Sequence, residues 1–213
     1  MSSSNRLIQI YKSRLNVLAI LKSVYDYNTD GYSGFSINEI DAMCQTDQLD
    51  MLLHETNSAG VNPPKKVYIK YIIKGALNQP SLAVIWEDLY SLSDTLTKED
   101  CLYIIYDGEP NDSLISYMNY LYNQDGIFVV VYNLKRLQFN ILEHSLIPKI
   151  SILNEKETKS LMEQYKLESL DKLPEISRYD PLALAVCLRP GQVCKLIRNS
   201  PTAMETPYYR VCV

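Results

Sequence analysis

Glycine and histidine are scarce in this 213-residue chain, at 7 and 2. No glycine-rich phosphate cradle of the GxGxxG or GxxxxGK[ST] kind can be drawn from the glycines. Neither His54 nor His144 has a nucleophile and carboxylate in a recognisable triad setting. The five cysteines are odd in number and lack CxxC spacing. That pattern opposes a zinc ribbon or a disulfide framework and predicts reduced, mostly buried thiols in the cytosol or nucleus. Apolar runs are too short to span a bilayer, so no membrane partner is expected. The opening MSSSNRLIQIYKSRL has no hydrophobic signal core, which predicts a protein that is not secreted. Phenylalanine and tryptophan are also rare, at 3 and 1, whereas tyrosine reaches 17. Tyrosine suits half-buried surfaces and interfaces.

Charge is distributed unevenly. Residues 1–143 carry 11 Lys+Arg and 17 Asp+Glu, and residues 144–213 carry 10 and 8. An acidic first part opposes autonomous nucleic-acid binding, which rests on neutralising phosphates.

Two acidic clusters invite a functional reading. Asp26, Asn28, Asp30, Gly31 and Tyr32 begin like a calcium loop, but Ile37 stands where the bidentate carboxylate belongs. A polar turn between two helices explains the same residues, and a calcium-binding module at Asp26 to Tyr32 remains the less favoured alternative. The run Asp107-Gly-Glu-Pro-Asn-Asp112 follows an apolar strand. Asp107 and Glu109 there could hold magnesium in a metal-dependent nuclease. The only Glu-x-Lys, Glu157-Thr-Lys159, falls on a helix elsewhere, so a solvated loop with Asp112 capping the next helix is preferred. His144 is expected to be buried and hydrogen-bonded.

Periodicity gives the organisation. Helix one is expected after Asn5, with Leu7, Tyr11, Leu15, Leu18, Leu21 and Tyr25 on one face. Ser36 to Glu39 form a capping box opening helix two. Asn57–Pro64 is a polar linker, Lys66–Lys74 a strand, and Ser81–Leu92 a helix. Cys101–Tyr106 and Ile127–Tyr132 are buried strands joined by the helix Ser113–Tyr122, a parallel βαβ unit. Leu137–Leu142 is expected as a further strand completing a mixed sheet. Beyond Pro148, Asn154–Glu157 is a second capping box and Lys172–Ser177 is extended. Asp180-Pro181 starts a helix, Arg189–Gln192 is a turn, and Val193–Arg198 and Tyr208–Val213 are strands. The predicted fold is an α/β module with a mixed sheet, a βαβ core and flanking helices (1–143), plus a small α+β domain (144–213).

The last seventy residues resemble the assembly domain of the fifth subunit of eukaryotic RNA polymerases, a domain that a small archaeal polymerase subunit resembles on its own. The similarity is carried by His144, Leu146 and Pro148; Tyr165, Lys166 and Leu167; Leu173, Pro174 and Ile176; Asp180 and Pro181; Gly191, Gln192, Val193, Lys195, Ile197 and Arg198; Ser200, Thr202 and Ala203; Tyr209 and Arg210. The resemblance implies a non-catalytic subunit without cofactor or metal of its own. Its residues 144–213 would dock on the largest polymerase subunit through positions such as His144, Pro148, Asp180, Pro181, Gly191, Gln192, Lys195, Arg198, Tyr209 and Arg210. Residues 1–143 would be a jaw near downstream duplex DNA, met only within the complex. The family's DNA-proximal loop carries Thr-Pro-Ser-Ala, and here Glu109, Pro110, Asn111 and Asp112 match it only at the proline. Cys187 and Met204 stand where the family usually has glycine. The implied location is the nucleus for a cellular protein. For a copy encoded by a large DNA virus, it is the host cytoplasm, the viral factory and the virion.

Overall fold

The computed structural model describes residues 3–56 and 65–213, so the linker Asn57–Pro64 lies outside the described residues. The chain divides into two compact units, Met1–Phe139 and Asn140–Val213. The sequence reading placed the boundary after residue 143; the division falls before Asn140, whose side-chain oxygen accepts from Leu142 N–H and nucleates a 3-10 turn, Ile141–Glu143.

In the first unit, α1 (Ser3–Tyr25) begins three residues earlier than expected. Its buried stripe runs through Ile10, Ser13, Arg14, Val17, Leu18 and Leu21, and Leu15 is exposed, contrary to the expected face. The stripe is drawn this way because residues 134–138 lie against it. Asn16 Nδ2 donates to Leu137 O at 2.8 Å and Gln138 Nε2 donates to Gln9 O at 3.1 Å. Those residues form a 3-10 turn, Leu134–Gln138, capped by Asn133 Oδ1, which accepts from Lys135 N–H. The strand expected at Leu137–Leu142 therefore does not exist.

A four-stranded sheet is built instead from β1 (Met51–His54), β2 (Lys66–Ile72), β3 (Cys101–Tyr106) and β4 (Phe128–Asn133), in that order. β2, β3 and β4 run parallel and β1 closes one edge antiparallel to β2. All six residues of β4 and five of β3 are buried, as continuous apolar runs in a parallel sheet require. The crossover is α4 (Asp112–Asp125), and Asn111, not Asp112, caps it by accepting from Leu114 N–H at 2.9 Å. α3 (Gln79–Glu87) is capped by Asn78 and runs into a π-helical turn, Asp88–Leu92.

Buried polar groups in this unit are tied to backbone. Asp100, 2% exposed, accepts from Lys66 N and Thr97 N at 2.6 and 2.7 Å, fixing the start of β2. Arg14, 3% exposed, donates to Leu49 O at 2.8 Å and lies on the rings of Tyr32 and Phe35. Burial lowers its pKa, and the rings offer a cation a partly compensating face.

The second unit carries β5 (Lys149–Ile152), α5 (Glu155–Tyr165), β6 (Glu175–Ile176), α6 (Pro181–Ala185), β7 (Val193–Ser200) and β8 (Met204–Cys212). The sheet order is β5-β7-β8-β6, with β7–β8 an antiparallel hairpin and β6 parallel to β8. Leu161 of α5 packs on Val193 and Val211. The opposite face of the hairpin meets the segment after α6, where Cys212 Sγ lies 3.6 Å from Leu188 O. Both units thus combine helices with mixed sheets; periodicity led to that expectation for the first unit and to a small α+β fold for the second.

Candidate partner-docking surface

Several residues singled out in the second unit first have structural work. Asp180 caps α6, its Oδ1 accepting from Leu182 N–H at 2.8 Å, and Pro181 occupies the first turn, where its missing N–H costs nothing. Gly191 has φ 85° and donates to Cys212 O at 2.9 Å. A left-handed φ suits glycine because a Cβ there would crowd the backbone. Gln192 closes the same turn: its side-chain oxygen accepts from Arg189 N–H at 2.9 Å, and its carbonyl accepts from Cys212 N–H at 2.9 Å. Four of the selected positions thus shape the turn and cap that present the hairpin.

Strand alternation sorts the remaining ones into two faces. Lys195 stands opposite Tyr209 on the face covered by α5, where the Tyr209 ring meets Tyr165 edge-on at 6.0 Å. Arg198 and Arg210 lie on the other face, with Tyr208 between them. The Arg198 guanidinium sits 4.4 Å from the centre of the Tyr208 ring, and Arg210 sits 5.3 Å from it. Neither guanidinium has an ion-pair partner among the described residues, and Arg210 Nε is buried without an acceptor. Tyr208 was missed in the sequence reading. Its signal was its place in the alternation, two residues before Arg210.

His144 is exposed, not buried as expected. Its Nδ1 accepts from Leu146 N–H at 3.2 Å and its carbonyl accepts from Ile147 N–H at 2.9 Å, a tight turn that leads through half-buried Pro148 into β5. Leu146 is 84% exposed beside it.

The loop after β3 is a separate matter. Asp107 Oδ2 lies 3.3 Å from Arg6 Nη2, and Arg6 also donates to Ile73 O. Glu109 Oε1 lies 3.1 Å from Arg136 Nη2 and accepts from Asn133 Nδ2 at 3.0 Å. The two carboxylates are held by different arginines rather than converged on a common point. Two-metal or one-metal hydrolysis needs convergent oxygen donors, so the nuclease reading is not supported. The Asp26–Tyr32 segment likewise engages its own donors. Asn28 Oδ1 accepts from Asp30 N–H at 3.0 Å, Thr29 O accepts from Tyr32 and Ser33 N–H, and the Tyr32 hydroxyl accepts from Leu52 N–H. It is a turn pinned to β1, and the calcium reading has no support either.

Burial pushes the Cys194 thiol up, and that of Cys212 up to about 12, so both are neutral hydrophobes beneath the hairpin. The five cysteines are outside any disulfide, four of them buried and Cys44 partly so.

Comparison with known proteins matches the second unit. The family described as RNA polymerase Rpb5, C-terminal domain, covers residues 139–212. The DNA-directed RNA polymerase subunit Rpo5 of Pyrococcus horikoshii is 43% identical over 76 residues, 36% of this chain and 92% of that protein. The Rpo5 subunit of Thermococcus kodakarensis is 40% identical over 76 residues, again 36% and 92%. That of Staphylothermus marinus is 40% identical over 80 residues, 38% of this chain and 87% of the relative. Each relative is matched over most of its own length at 40% identity or more, and the family match lies on the second unit, so the chain belongs to the fifth-subunit family of DNA-directed RNA polymerases.

Proposed function

We propose that this protein is a non-catalytic structural subunit of a multisubunit DNA-directed RNA polymerase. The observation that carries the reading is that the Rpo5 relatives are matched over about nine-tenths of their length, and that the family match at residues 139–212 coincides with one compact unit. That unit docks on the largest subunit through the hairpin surface around Lys195, Arg198, Tyr209 and Arg210, and the His144–Pro148 turn. The first unit is a jaw placed near downstream DNA. Its excess of Asp and Glu supports contact with DNA only inside the assembled enzyme, where other subunits supply positive surface. The loop Glu109–Asp112 adds carboxylates at the position the jaw reading brings nearest to DNA, so it restrains phosphate approach instead of binding it. Catalysis belongs to other subunits of the complex.

The test is affinity purification of the tagged protein from its native source, with quantitative mass spectrometry of what accompanies it. The expected result is stoichiometric recovery of the largest polymerase subunit in a complex that survives moderate salt. Elution of the chain alone, or with partners unrelated to transcription, overturns the reading.

A further inference from the structure

We propose that the groove at the free edge of β7 receives an extended acidic segment of another polymerase subunit, with Arg198 taking its carboxylate. The proposal rests on the polymerase-subunit reading above and adds the chemistry of one contact. β5 pairs with β7 only from Lys149↔Ile197 to Ile152↔Cys194. β7 continues through Arg198, Asn199 and Ser200, which pair with β8 on one side and, among the described residues, with no strand on the other. Pro148 precedes β5 and has no N–H to extend the ladder, so the pairing stops where the proline stands. The unpaired edge opens onto a cavity of about 520 Å³ lined by Leu146, Ile147, Pro148, Ile197 and Arg198 among others.

Three features select the occupant. A free strand edge bonds to an extended polypeptide backbone, which a sugar-phosphate chain cannot imitate. The aliphatic lining, with Leu146 84% exposed, suits an apolar side chain beside that backbone. The charge asks for a carboxylate. Arg198 is exposed, held 4.4 Å over the Tyr208 ring, and has no acid of its own; Arg210 shares that ring and also lacks one. Within the groove, Lys149 and Arg198 outweigh Glu205. Asp180, whose charge reaches Cys194 nearby, spends Oδ1 on the α6 cap. Two guanidiniums fixed on one ring without a counter-charge form a pre-ordered receptor, because stacking holds the plane and leaves its N–H edge free for a bidentate acceptor.

The experiment places a photo-crosslinking amino acid at Leu146 in the full chain, purifies the assembled polymerase, and maps the crosslinks by mass spectrometry. The expected adduct is on a subunit segment containing Asp or Glu within a few residues of the crosslinked one. In competition with the unaltered chain, Arg198→Glu and Arg198→Gln should each lower incorporation by about tenfold, the scale of an interface anchor. Exchanging the mapped acid for arginine in the partner should restore incorporation of Arg198→Glu. Urea melts report whether each variant folds; if Arg198→Glu does not, Arg198→Gln decides. Crosslinks to nucleic acid, to a segment without Asp or Glu, or undiminished incorporation of both variants overturn the proposal while leaving the subunit assignment standing. Failure of the unaltered chain to enter the polymerase overturns that assignment instead.

Discussion

At Met204 the backbone is left-handed, with φ 57°, and the side chain is 86% exposed. Cys187 is left-handed too, at φ 50°, but 5% exposed. These are the two positions at which the family resemblance called for glycine, and the geometry gives the reason. A Cβ in that conformation costs about 1–2 kcal/mol, whereas glycine adopts it freely at an unfolded-state cost of about 0.4–1 kcal/mol. Met204→Gly should therefore stabilise the second unit by about 0.5–1 kcal/mol in urea denaturation, since little packing is lost. Cys187→Gly should leave stability nearly unchanged, because relief of the same strain is offset by loss of a buried side chain. A destabilising Met204→Gly would show that the residue makes a contact its exposure conceals. Residues whose role depends on strand neighbours were harder to read. Arg198 stood out in the sequence, but Tyr208, which holds it, had only its place in the alternation to mark it, and the register is what puts the two on one face.

Elements with a signature inside a few residues were legible. The capping boxes at Ser36 and Asn154 open α2 (Ile37–Gln45) and α5 as read, and Asp180-Pro181 opens α6. The apolar runs of β3 and β4 announced the parallel pair. β1 was not seen because Met51-Leu-Leu-His54 has no β-branched residue, and β5 because Lys149-Ile-Ser-Ile152 is short and half-exposed. The segment 137–142 misled because Leu137 meets α1 from one asparagine-capped turn while Ile141 and Leu142 belong to a second such turn, and neither is a strand. The α2 box also yields a pH prediction. Glu39 accepts from Ser36 N–H and hydroxyl at 2.7 and 2.8 Å, which holds its carboxyl below the usual range. A depressed folded-state pKa gives stabilisation that is present above the unfolded value of about 4.3 and is lost as pH falls through the folded value. NMR titration should find Glu39 titrating below the ordinary value, with amide protection in α2 falling in step. Glu39→Gln should abolish that acid limb.

For the whole molecule, the division into two units predicts that unfolding has two parts. Their alkaline limits differ by chemistry. In the first unit burial raises Tyr68 and pushes Tyr71 up to about 12; in the second it raises Cys194 and Cys212. A raised folded pKa stabilises below the unfolded value, and the stabilisation is lost as pH rises toward the folded one. Unfolded thiols ionise near about 8.5 and phenols near about 10. The second unit should therefore begin to weaken from about pH 8.5, and the first only from about pH 10. Urea melts of the full chain, followed by a probe in each unit between pH 7 and 11, should show this order. A first unit that weakens earlier would contradict the assignment of burial to these groups.

The order of strands in the second sheet also sets a schedule for synthesis. β8 comes last of the four in the chain yet lies between β7 and β6. Until β8 has been made and released, β6 has no strand neighbour and β7 lacks one of its two. Val193, Cys194 and Leu196 then wait without the strand that flanks them. The first sheet has no such debt, since all its strands precede Phe139. Translation thus lets the first unit close early, whereas the second closes only once β8 is free of the ribosome.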